Sequence, residues 1–320
     1  MSDARPFTAA PKLAYFSSPD HLPADVLGAL IYGREARVEC VRNADPRLVG
    51  IPLEALRGAP RAEALLTRGP VTAGGLDGVR FAMSEEHLFG VIEVDEQVFG
   101  GPQGAGFEAY RRLVRFQAQS THRHVWRIWN FLDAINEGDG DDERYRQFCL
   151  GRAQGLGTGL GDYPAASAVG RRDGERILQV VWIAGRAPAE TVENPRQTSA
   201  FRYPRQYGPA SPSFSRAAWL GGLLLISGTA SIVGHASMHD GDIRAQTAEA
   251  IANLRAVAGA AGLELASLTS LKAYVRHAKD VEAVATVIAA HGFASADCCF
   301  LLADICRRDL LVEFEAVGTG

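Results

Sequence analysis

The sequence predicts an α/β fold of two tandem mixed-sheet units with helices packed on the sheets. Three observations predict it. Strand-length apolar runs alternate with helical periodicity in the C-terminal half, and a similar order recurs in the N-terminal half. Each half also closes on a strand pair joined by a similar charged turn, Arg171-Arg172-Asp173 and Arg307-Arg308-Asp309.

Residues 1–60 are rich in Pro and Ala and too weakly periodic to order. The segment VRFAM around Phe81 and Leu88–Val94 then read as a hairpin, followed by a helix over Phe107–Gln119 and a strand over His124–Phe131. Asp141–Gln154 reads as a helix whose acidic start favours the macrodipole, and Ala166–Val169 and Ile177–Ile183 as strands. Gly100–Gly106 and Gly155–Gly161 do not follow strands as a dinucleotide fingerprint requires, so both read as flexible connections. The polar, Pro-containing stretch Glu190–Ala200 reads as a linker, which divides the chain into domains 1–195 and 196–320.

The second domain is clearer. Leu223–Ile232 is strand-like with a Gly-Thr break. Ile243–Ala261 repeats apolar residues at helical spacing, and Gly262 closes it. Leu268–Val275 is a strand, Asp280 caps a helix running to Ala290, and Gly292 ends it. Cys298–Ile305 and Leu310–Val317 are the last strands.

Composition removes several function classes. The 320 residues are 47% hydrophobic and 22% charged, an ordinary globular balance. A net charge of −4 offers no general footing for nucleic acid. The longest apolar run, Leu220–Ser227, is far too short to span a bilayer. MSDARPFTAAPKLAYF shows no signal-peptide pattern, and five cysteines without a CxxC fit a reducing compartment, so a cytoplasmic location is expected. Only Lys12, Lys272 and Lys279 are lysines, which leaves few candidates for Schiff-base chemistry. The pairs His122/His124 and His235/His239 lack a Glu or Cys companion at motif spacing and read as surface histidines, so no metal is expected. There is no G-x-S-x-G. Cys306 precedes two arginines that could lower its pKa, yet a packing or gatekeeping role suits it better than nucleophilic attack.

Two features could carry chemistry. Phe201–Ala217 places Arg202, Arg205 and Arg216 among Tyr203 and Tyr207, with three prolines stiffening the backbone. Such a loop suits a small, planar anion, and it equally suits an ordinary surface connection with snorkelling arginines. In LLVEFEAV, period-two alternation puts Glu313 and Glu315 on one strand face. Facing a dry pocket, such a carboxyl would have the raised pKa that a general acid needs; facing water, it would be merely solvated.

From Tyr207 onward, YGPASPSFSRA, LLLISGTAS, AVAGAAGL, SLKAYV and LLVEFEAV resemble the Rid/YjgF family of small trimeric α/β proteins. Over nearly the whole chain, HVWRIWNF, ERYRQFCLGRA, YPAASAVG, NPRQTSAFRYPRQYGPASPSFSRA and RRDLLVEFEA are similar to the chorismatases, which carry a Rid-like C-terminal domain. The resemblance implies a cofactor-independent enzyme acting on chorismate, with Glu313 as proton donor. It implies arginines that hold the substrate's carboxylates, with Arg152, Arg202, Arg205, Arg216 and Arg276 as candidates, and Tyr203 orienting the ring. Rid deaminases carry a substrate-binding arginine where ungapped alignment puts Cys298, which weighs against deamination. Cys306 resembles the hydroxybenzoate-forming branches, so the expected products are 3-hydroxybenzoate, with or without 4-hydroxybenzoate, and pyruvate. Open alternatives are hydrolysis to a dihydroxy diene acid, a Rid-type deaminase and a non-catalytic anion-binding module. The expected assembly is a monomer with an internal pseudo-repeat or a homotrimer.

Overall fold

The computed structural model describes residues 10–43, 45–58, 60–293 and 298–320. Residues 1–9, part of the segment read for a leader, lie outside the described residues.

Three units follow one another. The first holds β1 (Lys12–Phe16), β2 (Val26–Tyr32), α1 (Ala36–Asn43), β3 (Leu48–Ile51), β4 (Glu54–Leu56) and β5 (Ala62–Leu66). The middle unit runs β6 (Thr72–Leu76), β7 (Val79–Met83), β8 (His87–Asp95), α2 (Pro102–Gln119), β9 (His124–Asp133), α3 (Arg144–Leu156), β10 (Ala165–Arg171) and β11 (Ile177–Gly185). The C-terminal unit opens with β12 (Glu190–Val192), β13 (Ala217–Trp219), β14 (Leu223–Ala230) and the short pair β15 (Ile232–Val233) and β16 (Ala236–Ser237). It continues through α4 (Ile243–Ala260), β17 (Leu268–Val275), α5 (Val281–Ala290), β18 (Cys298–Leu302) and β19 (Val312–Thr319).

The tandem repeat is present in the sheet order. The middle sheet runs β10-β9-β11-β8-β7-β6, and the C-terminal sheet β18-β17-β19-β14-β13-β12 with β4 added at its edge. In both, one parallel crossover pair (β9 with β10, β17 with β18) adjoins an antiparallel remainder. The first unit, where periodicity was too weak to read, is a shortened copy of order β3-β2-β5-β1. The Glu190–Val192 stretch, read as linker, pairs with β13 as the far edge of the C-terminal sheet.

Each sheet buries both faces, so its central strands are apolar runs rather than clean alternations. Helices cover the outer faces: Phe314 and Leu271 pack on Ile251 and Val284, and Ile128 and Trp182 on Leu113 and Phe148. The inner faces of all three sheets meet in one core containing Leu30, Phe131, Val181, Leu225 and Leu301.

Two local expectations change. The acidic start of the expected Asp141–Gln154 helix is a separate 3-10 turn, Gly140–Asp142, because the extended backbone of Glu143 interrupts it. The glycine-rich stretch 100–106 is not a flexible connection, because α2 begins at Pro102. A Cβ on Gly151 of α3 would overlap the Gln103 carbonyl oxygen of α2, so small residues permit a close helix crossing there.

Candidate active site

Edge strand β10 of the middle unit runs beside β14 and β19 of the C-terminal unit. The Ser227 hydroxyl accepts from Ala166 N at 2.9 Å and donates to Ser215 O at 2.6 Å, stitching the two units together. Between them opens a cavity of about 380 Å³, walled by the loop before β13, the N-terminal part of α3 and the turn at 306–309.

Glu313 lies at its floor, 4% exposed. The β14–β19 register shifts between Ile226 and Thr229, and the irregularity leaves Gly228 over the carboxyl. A Cβ on Gly228 would overlap Glu313 Oε1 and stand 3.1 Å from Ser167 Oγ, so only glycine leaves the acid its place. Burial and the neighbouring Glu315 raise the Glu313 pKa to about 8, with Arg127 and Arg216 partly opposing. It is therefore a neutral acid at pH 7.

Glu315, two residues along the same face, behaves oppositely. Burial pushes its carboxyl up, but Lys272, Arg127 and hydrogen bonds from Ser167 and Lys272 together bring it down to about 2. Two carboxyls on one strand are held in different protonation states, a division characteristic of acid–base sites.

Two buried arginines, Arg152 and Arg216, and the half-buried Arg307 surround the cavity. Arg152, on α3, lies 5.2 Å from the Tyr110 ring and donates to Ser213 O. Arg216 donates to Thr198 O at 2.9 Å and to the Tyr203 hydroxyl at 2.8 Å. Arg307 stacks 3.9 Å from the Tyr207 ring centroid and donates to His235 O and Ser237 Oγ. Each keeps a buried N–H without a partner: Nε of Arg152 and Arg216, Nη2 of Arg307. Among the described residues no carboxylate forms an ion pair with any of the three. Uncompensated guanidiniums in a cleft demand an anion.

Of the residues singled out from the sequence, Glu313, Arg152, Tyr203, Arg216 and Cys306 meet in this cavity. Burial, then the charge of Glu313, raises the Cys306 thiol well above its ordinary pKa despite Arg307, so it stays protonated rather than becoming the thiolate its arginine neighbours could favour. Three arginines lie elsewhere. Arg202 is exposed, its guanidinium 5.7 Å from the Phe201 ring. Arg205 forms an exposed two-bond pair with Asp141 at 2.9 and 2.5 Å. Arg276 spends its donors on Asp304, Asn136 and the carbonyls of Ile305, Arg307 and Leu310, shaping the turn that carries Cys306 and Arg307. Cys298 faces the helix-side core. His122 is buried, contrary to the surface reading, with Nε2 3.2 Å from Glu85 O.

Sequence reasoning missed Arg307, Ser167 and Gly228. Nothing local separates Arg307 from Arg308, which binds Asp139, or from Arg172 in the related turn, which binds Asp304.

Comparison with known proteins agrees with this layout. Residues 63–184 match the family model described as chorismatase FkbO/Hyg5-like, N-terminal, and residues 207–319 the model described as endoribonuclease L-PSP. A chorismatase of Streptomyces rapamycinicus is 38% identical, covering 80% of this chain and 81% of that one. A 3-hydroxybenzoate synthase of Streptomyces hygroscopicus is 32% identical over 92% of this chain and 91% of its own. A chorismatase crystal structure superposes with a TM-score of 0.81 at 32% identity, covering 97% of this chain and 98% of that one.

Proposed function

The chain belongs to the chorismatase family, with a Rid/L-PSP domain at its C-terminus, and from that premise we propose that it converts chorismate to 3-hydroxybenzoate and pyruvate with Glu313 as the proton donor. The observation that carries this reading is the neutral, buried carboxyl of Glu313 in a cavity ringed by uncompensated arginines.

Chorismate is a dianion bearing an enolpyruvyl ether on a cyclohexadiene ring. Arg152, Arg216 and Arg307 supply the counter-charge for its two carboxylates, and the Tyr203 and Tyr207 rings flank the ligand. Glu313 protonates the ether's terminal methylene, which becomes a methyl group as an oxocarbenium ion forms and Glu313 is left a carboxylate. The neighbouring ring hydroxyl oxygen then displaces the ether oxygen, and pyruvate departs with the C–O electron pair. The oxygen now bridges two ring carbons, and its hydroxyl proton returns to Glu313 and restores the acid. The bond to the carbon that first carried the hydroxyl then opens, and the carbon that keeps the oxygen loses its hydrogen as a proton, which the oxygen gains as the ring becomes aromatic. Reactant and products balance without water.

Cys306, protonated on the cavity wall, and the relative named 3-hydroxybenzoate synthase support this product over the hydrolytic one, in which water would attack the oxocarbenium carbon. The test is product analysis of purified protein mixed with chorismate. Equimolar 3-hydroxybenzoate and pyruvate are expected, with kcat falling as pH rises through about 8 because the acid must be protonated. A dihydroxy diene with pyruvate would overturn the product. No consumption would overturn the enzyme.

A further inference from the structure

Below the cavity floor, charged side chains from all three units meet in the common core. Lys272 of β17, 1% exposed, sits 2.5 Å from Glu63 of β5 and 2.9 Å from Glu315 of β19. Arg127 of β9 is 2.9 Å from Glu315, and its other bonds reach Ser167 Oγ at 2.6 Å and Ile226 O at 2.9 Å. Trp129 Nε1 and the Tyr274 hydroxyl also donate to Glu315, at 2.9 and 3.0 Å. Glu315 thus collects two cations and three neutral donors, the third being Ser167. Ser167 Oγ accepts from Arg127 and from Gly228 N at 2.9 Å, which leaves its own proton for Glu315.

We propose that Glu315 is a positioning residue of the reaction: a fixed anion, locked by Lys272 and Arg127, that holds Arg127 and Ser167 against the cavity floor and keeps the transferable proton of the Glu-x-Glu pair on Glu313. The proposal rests on the reading of Glu313 as the acid. The charged and titratable groups facing Glu313 are Glu315 on its own strand, Arg127 from β9, Arg216 from the loop before β13 and Cys306 from the final turn. Of these only Glu315 is an anion at neutral pH. Removing its charge therefore leaves the two arginines unopposed and favours ionisation of Glu313.

The test compares wild type with Glu315→Gln and Glu315→Asp, measuring kcat and KM through neutral and alkaline pH. Glu315→Gln is expected to move the alkaline limb of kcat down by about one pH unit or more, with little change in KM. Glu315→Asp, which keeps the charge, holds the limb near wild type. A purely structural role would disturb both variants alike and leave the limb in place, which overturns the proposal. If Glu315→Gln does not fold, the double variant Glu315→Gln, Lys272→Met removes the pair as a neutral unit and carries the same expectation. Carbon-13 NMR of glutamate-labelled, ligand-free protein, with Glu313 assigned from Glu313→Gln, reads the same titration without turnover. A Glu313 titration that moves while the kcat limb does not overturns the acid assignment and leaves the fixed anion standing. A titration that does not move overturns the fixed anion, even where Glu313→Gln has abolished turnover.

Discussion

The cavity between the middle and C-terminal units has a topological counterpart between the first and middle units. In one, edge strand β10 faces β14 and β19; in the other, edge strand β3 faces β8 and β11. The counterpart is a hollow of about 220 Å³ against about 380 Å³, walled by Arg37, Arg80 and Glu93. There each arginine has a carboxylate partner. Glu93 pairs with Arg37 at 3.3 Å and Arg80 at 3.1 Å, and Gln179 donates to it at 2.9 Å. Where β19 sets Glu313 and Glu315 across from Tyr274 and Lys272, β11 sets Gln179 and Val181 across from Phe131 and Trp129. The same backbone thus makes two clefts. Whether one becomes a site depends on a few side chains: an acid on the last strand, and cations deprived of partners.

Replacing the acid should erase the difference between the clefts. Glu313→Gln is expected to lower kcat about 10³-fold while substrate still binds, as stopped-flow turnover and equilibrium binding would show. The same variant carries a stability signature. Glu313 has its pKa raised from 4.5 to about 8 on folding, so between those values the folded chain holds a proton the unfolded chain releases. Wild-type stability accordingly declines as pH rises through that window. The Gln variant should show a flatter Tm profile in calorimetry, and parallel profiles would refute the raised pKa.

Gly228→Ala tests the geometry rather than the acid. The added methyl overlaps Glu313 Oε1, and displacing the carboxyl is expected to lower kcat about 10²-fold. Unchanged turnover would show that the acid needs no such clearance.

Arg307→Met removes one uncompensated cation while keeping an apolar stem beside Tyr207. KM for chorismate should rise about 10- to 100-fold with a smaller loss in kcat, a split that steady-state kinetics resolves. Equal losses in both would place Arg307 in the chemistry instead.

The smallest effect is expected at Arg205→Ala, which breaks only an exposed pair with Asp141. kcat/KM should stay within about twofold of wild type. A tenfold loss would mean that this contact helps to form the site.

How far the sequence could be read differs from place to place, for physical reasons. Leu268–Val275 and the Ile243 helix were legible because apolar spacing and end signals agree over long stretches. The first unit was not. Its strands run to as few as 3 residues, and α1 has little amphipathicity, so partners from distant segments hold them in place. Among the site residues, Glu313 could be found from alternation joined to family resemblance. Arg202 and Arg205 could not be told from Arg216, because all three share one proline-stiffened loop and only Arg216 turns inward.

By itself the sequence determined the α/β class, most element boundaries in the C-terminal half and the placement of Glu313 and Glu315 on one face, because these follow from local periodicity and capping. Only the tertiary structure decided that this face is buried rather than wet. It also decided which arginines lack partners, and that Lys272 bridges Glu63 of the first unit to Glu315 while Arg127 reaches Glu315 from the middle unit. Burial and charge compensation are sums over neighbours far apart in the chain. The difference between a solvated glutamate and a neutral acid at pH 7 is one of those sums.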